Sequence, residues 1–183
     1  DPFIDDFGSA KKMADEETFR KINGSPRSIH YLLKTTEDGI YDSQISELPP
    51  AIMLNGRLGL VPGRLTINSF ENAISRRWSD VYQGDPLAIR TITRIRTIAE
   101  AYAQRDGYDF VLMDTSPSLG ALNKVIISTV DGFIVPCLPD MFSMYGIRNI
   151  GSSLKQWKQE FDTIYKLISN SKRERFPNEF VQF

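Results

Sequence analysis

The sequence lacks several features that would point directly to a class of protein. Its 183 residues include one cysteine, Cys137, and one histidine, His30, so a disulfide framework or a cysteine-based metal site within the chain is excluded. A lone cysteine fits the reducing cytoplasm. No apolar run approaches the ~18 to 20 residues that cross a bilayer. The formal net charge of −1 indicates neither a nucleic-acid nor a membrane partner.

The sequence also lacks the G-x-x-x-x-G-K-[ST] loop that cradles nucleotide phosphates in many ATPases. It opens on Asp1-Pro2 without a methionine and closes on Glu179–Phe183, which has the composition of a strand. We therefore expect an internal piece of a longer protein. Its length favours a single domain over residues 1–183.

Short apolar runs alternate with amphipathic segments in the second half of the chain. We predict buried strands at Phe110–Met113 and Gly132–Val135, with helices from about Leu119 to Thr129 and from Tyr145 to Ser169. This alternation implies right-handed crossovers and parallel strands. The predicted fold is α/β, a doubly wound, mostly parallel sheet with helices on both faces, truncated at both ends.

The sequence of the first half of the chain predicts several helices and a pair of short strands. We predict a helix after Ser25-Pro26, and either a hairpin or two short strands separated by Asn55-Gly56. A second helix spans Ser69–Ser79. A third begins at Asp85-Pro86 and ends at Asp106-Gly107, because proline is favoured at the first helical position and glycine just after the last.

The segment Tyr108–Gly120, reading Y-D-F-V-L-M-D-T-S-P-S-L-G, is the most informative of the chain. Its apolar run ends in a carboxylate, Asp114. At the carboxyl edge of a parallel sheet, such a carboxylate can hold Mg²⁺, usually through a water, beside a triphosphate. The following helix would direct N–H groups toward the γ-phosphate or the attacking water. Alternatively, Asp114, Thr115 or Ser118 simply caps that helix.

Four segments in order resemble the ParA-type partition ATPases, the deviant Walker ATPases related to MinD. The segment Asp109–Gly120 is similar to the family's Walker B and switch II pattern, Tyr-Asp-x-x-(Leu/Ile)-x-Asp-(Thr/Cys)-x-Pro-x-Leu. The segment Asp131–Gly146 resembles its Pro-x-x-Pro-(Glu/Asp) block. Ser28–Leu33 looks like its Ser-Ile-x-x-(Val/Leu)-Leu helix, and Leu58–Gly63 looks like its Leu-x-(Leu/Ile)-(Ile/Val)-Pro-(Ser/Gly) strand end.

The resemblance implies roles for individual residues. Asp114 would be the catalytic carboxylate on the Mg²⁺ side, and Thr115, Pro117 and Ser118 would line the nucleotide and contact the γ-phosphate. Asp1 is similar to the switch I aspartate that helps to position the attacking water. The residues that follow Asp1-Pro2 depart from the family's usual Gln-x-Asn.

The resemblance also implies a function. The full-length protein would be an ATPase that binds Mg-ATP, forms a homodimer on nucleotide and partitions plasmid or chromosomal DNA in the cytoplasm or on the nucleoid. It would bind DNA nonspecifically, and a partner protein would stimulate hydrolysis. The 183 residues alone would be inactive. Two alternatives stay open: a noncatalytic regulatory or scaffold relative, and a MinD-like ATPase that cycles on membranes.

Overall fold

The computed structural model describes residue 20 and residues 24–40, 48–116 and 118–173. The predicted site residues Asp1 and Pro117, and the predicted strand at Glu179–Phe183, lie outside the described residues. The chain forms two compact units, residues 1–70 and 71–183.

The first unit combines a helix with a hairpin. Helix α1 spans Ile29–Glu37, and its N-cap, Ser28, lies three residues later than the predicted N-cap, Ser25. Strands β1 (Ile52–Asn55) and β2 (Leu58–Leu60) pair antiparallel around the predicted Asn-Gly turn, which confirms the hairpin. A 3₁₀ turn, Leu65–Ile67, precedes helix α2, which spans Asn68–Tyr82.

The core of the first unit is small and apolar. Leu32 and Leu33 of α1 are buried, and Ala51 and Phe70 are buried as well. The main-chain nitrogen of Ile29 donates to the carbonyl oxygen of Pro62 at 2.9 Å. That bond ties the start of α1 to the chain just after the hairpin.

Helix α3, Pro86–Asp106, is the long central helix of the second unit. The Asp85 carboxylate accepts from the main-chain nitrogen of Ala88 at 2.7 Å, and Gly107 ends the helix at φ 72°. Both predicted boundaries are thereby confirmed, because each depends on local chemistry: a capping side chain at one end and a left-handed glycine at the other. Ile89 and Ile92 face the core with almost no exposure.

Three further helices complete the second unit. Helix α4 spans Ala121–Thr129 and lies between α3 and α5, in contact with both. Helix α5 spans Met141–Leu167, with the Asp140 carboxylate accepting from the main-chain nitrogen of Ser143 at 2.7 Å. It starts four residues before the predicted Tyr145. A short helix α6, Asn170–Arg173, follows.

The predicted strands of the second half, and with them the doubly wound parallel sheet, are not confirmed within the described residues. Residues 110–113 and 132–135 have no regular secondary structure. Phe110, Leu112 and Ile134 are 85%, 88% and 88% exposed rather than buried. Within the described residues, the sheet content is the β1–β2 hairpin alone. A central parallel strand exists only when backbone on both sides pairs with it, and the described residues provide no such neighbour.

Candidate functional site

Asp114 closes the exposed segment that leads into helix α4. Its side chain is exposed, and no described lysine or arginine forms an ion pair with it. It does not cap α4 either, since the N-cap position is Gly120. The carboxylate is therefore open to a ligand from solvent. The alternative in which Asp114 only caps the helix does not match this geometry.

The loop that follows Asp114 is held in a tight turn. The main-chain nitrogen of Ser118 donates to the carbonyl oxygen of Ser116 at 2.8 Å, and the two serine hydroxyls are 3.2 Å apart. Ser118 is exposed, and Thr115 is half-buried. Two of the predicted site residues, Thr115 and Ser118, thus lie within four positions of Asp114, on the connection to α4.

The N-terminus of α4 carries a carboxylate from another helix. Glu71, in α2, accepts a hydrogen bond from the main-chain nitrogen of Leu122 at 3.3 Å through Oε1. A carboxylate is stabilised there by the unpaired N–H groups and the positive end of the helix dipole. Neither Thr115 nor Ser118 provides this cap. Sequence reasoning missed Glu71, because 51 residues separate it from Leu122.

A second residue missed by sequence reasoning, Asn123, reaches back from α4 to the loop. Its side-chain nitrogen donates to the carbonyl oxygens of Ser116 and Ser118 at 2.5 and 2.7 Å. Asn123 is 3% exposed. The one available signal in the sequence was a polar amide next to apolar residues of the same helix, Leu122 and Val125–Ile127.

Among the described site residues, the exposed carboxylate of Asp114 could hold a metal ion. In the part of the chain that the structure describes, no group of three or more histidine, cysteine, aspartate or glutamate side chains could hold a metal ion. Magnesium commonly keeps most of its waters and binds one or two carboxylates together with substrate phosphates. A single exposed carboxylate such as Asp114 fits that requirement.

Several basic side chains of α2 and α3 are engaged within the second unit. Arg94 is 3% exposed. Arg96 pairs with Glu100 at 2.7 Å and with Asp131 at 3.1 Å. Arg77 donates to the hydroxyl of Thr91 at 3.0 Å. These three arginines therefore stabilise the helices of the unit instead of forming an open cationic surface.

Comparison with known proteins agrees with the sequence resemblance. A protein-family model described as an AAA domain matches residues 86–167. A "ParA family protein" of Mycoplasma pneumoniae is 30% identical over 78 residues, 41% of this chain and 29% of the relative. "ParA family protein MG470" of Mycoplasma genitalium is 27% identical over 127 residues, 68% of this chain and 42% of the relative.

The chain is related to the ParA-type ATPases. The crystal structure of protein DIP2308 from Corynebacterium diphtheriae superimposes with a TM-score of 0.68 over 88% of this chain and 53% of that chain, at 23% identity. This likeness shows a shared fold. The matched segments span less than half of either Mycoplasma relative.

The ParA relationship covers the candidate site only partly. The AAA-domain match, residues 86–167, includes Asp114, Thr115 and Ser118 and excludes Asp1. None of the helices within the described residues has both the length and the apolar character required to span a membrane.

Proposed function

We propose that this chain supplies the Mg²⁺-side half of the catalytic site of a ParA-type ATPase, which binds and hydrolyses Mg-ATP. The observation that carries this proposal is the open carboxylate of Asp114, which directly precedes a turn and a helix in a chain related to ParA-type ATPases. Asp114 would hold Mg²⁺ through a water molecule. The ion would neutralise the charge that develops on the β- and γ-phosphates.

The loop after Asp114 would contact the γ-phosphate. Ser118 offers an exposed hydroxyl, and Thr115 and Pro117 complete the predicted nucleotide-binding set. Catalysis of phosphoryl transfer depends mainly on positioning and on electrostatic stabilisation. A loop already closed by the bond from Ser118 to Ser116 supports such positioning. Asp1 would act on the attacking water.

A doubly wound, mostly parallel sheet belongs to the same proposal. Phe110–Met113 and Gly132–Val135 would be its strands. Both segments are apolar yet exposed, so other strands could pair with them and bury their side chains. In that arrangement Asp114 would stand at the carboxyl end of a strand. Open α/β sheets bind ligands at that edge.

We further propose the cycle that the resemblance implies. ATP would favour a homodimer, and the ATP-bound state would bind DNA nonspecifically in plasmid or chromosome partitioning until a partner protein stimulates hydrolysis. A noncatalytic relative is the second candidate.

ATP turnover by the full-length protein distinguishes these two functions. An ATPase will release phosphate slowly in a reaction that requires Mg²⁺ and that the Asp114→Asn substitution abolishes. A noncatalytic relative will release none above the buffer rate, even when nucleotide binds. Substitution of Asp80, an exposed aspartate of α2, by asparagine controls for the loss of one carboxylate.

A further inference from the structure

The side-chain nitrogen of Asn123 forms hydrogen bonds with the loop after Asp114. Its side-chain amide carries two N–H donors, and two main-chain oxygens accept from it, at Ser116 (2.5 Å) and at Ser118 (2.7 Å). The hydroxyl of Ser118 lies 3.3 Å from the same nitrogen. Asn123 is 3% exposed, so these hydrogen bonds are made by a buried side chain.

These bonds serve the loop and not the helix that carries Asn123. A capping side chain accepts hydrogen bonds from the free N–H groups of the first turn. Asn123 instead donates, and its acceptors are carbonyl oxygens that precede the helix. The N–H of Leu122 is satisfied separately by Glu71. The free energy of the two Asn123 bonds therefore favours one placement of the carbonyl oxygens of Ser116 and Ser118.

Within the described residues of this loop, the main-chain bond from the nitrogen of Ser118 to the carbonyl oxygen of Ser116 also restrains its shape. Ser116 and Ser118 are exposed, and their hydroxyls contact each other. An exposed segment of this kind gains conformational entropy whenever it leaves its folded conformation. The buried side-chain amide of Asn123 binds two carbonyl oxygens of the loop and thereby opposes that loss of order. Helix α4, which carries Asn123, contacts both α3 and α5, and these contacts restrain its position.

We propose that Asn123 is a positioning residue that pre-organises the loop after Asp114 for phosphoryl transfer; this inference rests on the proposed ATPase function. Asn123 touches neither nucleotide nor Mg²⁺ and acts through the carbonyl oxygens of Ser116 and Ser118. A pre-organised loop stabilises the transition state more than the bound substrate. Loss of the anchor will therefore lower kcat more than it changes the KM for ATP.

The test uses the full-length protein with three substitutions. Asn123→Ala removes both donors, and Asn123→Asp keeps the shape while placing a carboxylate against two carbonyl oxygens. Ser128→Ala is the control, since Ser128 is also polar, buried and on α4 but lies away from the loop. The loss of two hydrogen bonds predicts a fall in kcat of about tenfold for Asn123→Ala. The kcat of Asn123→Asp will fall at least as far. In both Asn123 variants the KM for ATP will change by less than about threefold, and Ser128→Ala will retain the wild-type kcat.

Amide hydrogen exchange at Ser116 and at residues 118–120, measured without nucleotide, separates this inference from the proposed function. We expect exchange there to be about tenfold faster in Asn123→Ala than in wild type or Ser128→Ala. Unchanged exchange at these amides, or a kcat equal to that of wild type, overturns the role of Asn123. A wild-type protein without ATP turnover instead overturns the proposed function. The exchange result then still tests whether Asn123 holds the loop.

Discussion

The Glu71 carboxylate accepts a hydrogen bond from the main-chain nitrogen of Leu122 at 3.3 Å. This contact joins α2 to the first turn of α4, directly after the loop of the candidate site. Gly120 leaves space for it, because a side-chain carbon at that position would overlap the Glu71 carboxylate. The start of α4 is thus fixed from one side by Glu71 and linked to the loop by Asn123.

A substitution at Gly120 will displace that cap. Gly120 has ordinary backbone angles (φ −73°), so Gly120→Ala adds no backbone strain and acts through the collision with Glu71. Loss of a helix N-cap costs about 1 kcal/mol of the free energy of unfolding. Denaturant unfolding of Gly120→Ala, of Glu71→Ala and of the double variant measures the coupling. We expect Gly120→Ala to cost less in the Glu71→Ala background, whereas strictly additive effects would contradict the contact.

The side chain of Lys124 links α4 to α2 and α5. Its Nζ lies 3.6 Å from the centroid of the Trp78 ring and forms an ion pair with Glu160. Trp78 in turn packs edge-on against Phe161, with ring centroids 5.7 Å apart. The cation therefore stabilises an aromatic pair and a carboxylate at the same time.

Removal of the Lys124 charge will destabilise the second unit. We expect Lys124→Met to lower the free energy of unfolding by about 1 to 2 kcal/mol, the sum of a cation–π contact and a partly buried ion pair. Glu160→Gln will cost less, because the Trp78 contact remains. A double-mutant cycle is expected to give a coupling of about 0.5 to 1 kcal/mol between Lys124 and Glu160. A coupling of zero would show that the ion pair contributes nothing in solution.

Local sequence signals were sufficient for both ends of helix α3 and for the hairpin turn. Asp85-Pro86 and Asp106-Gly107 gave both ends of α3, since a capping carboxylate and a left-handed glycine act on their own neighbours. The Asn55-Gly56 turn gave the hairpin for the same reason. Phe110–Met113 shows the limit of this approach. An apolar run favours burial in a strand, but pairing requires other backbone, and the run alone cannot specify it.

The sequence predicted some residues of the candidate site and missed others. Asp114 was found from its position at the end of an apolar run, and its exposed carboxylate is compatible with the predicted role. Glu71 and Asn123 were not found, because their contacts with Leu122 and Ser116 depend on how the chain packs. The predicted role of Asp114 as a Mg²⁺ ligand stays a prediction.

The free energy of unfolding will depend on pH through Glu37. Burial raises the pKa of this carboxyl, but hydrogen bonds from His30, Lys34 and Ser69 favour the carboxylate more strongly, so the net pKa lies below its ordinary 4.5. A group with a lowered folded-state pKa stabilises the fold above its unfolded pKa, and that stabilisation is lost as the pH falls through the folded value.

The Glu37→Gln substitution tests this dependence. The amide that replaces the carboxyl group cannot titrate, so the part of the pH dependence due to Glu37 disappears in the variant. We expect the wild type to lose more unfolding free energy than Glu37→Gln when the pH is lowered from about 6 to about 3, measured by urea unfolding. Identical losses in both proteins would contradict a stabilising role for the Glu37 carboxylate.

The most direct test of the proposed function is Mg²⁺-dependent phosphate release from ATP by the full-length protein, with wild type, Asp114→Asn and Asp80→Asn compared at equal folded concentration. We predict turnover in wild type and in Asp80→Asn, with a loss of at least about 100-fold in Asp114→Asn, because the ion would lose the carboxylate that this chain is proposed to supply. Turnover in Asp114→Asn equal to that of wild type would contradict the assignment of Asp114 to the catalytic site.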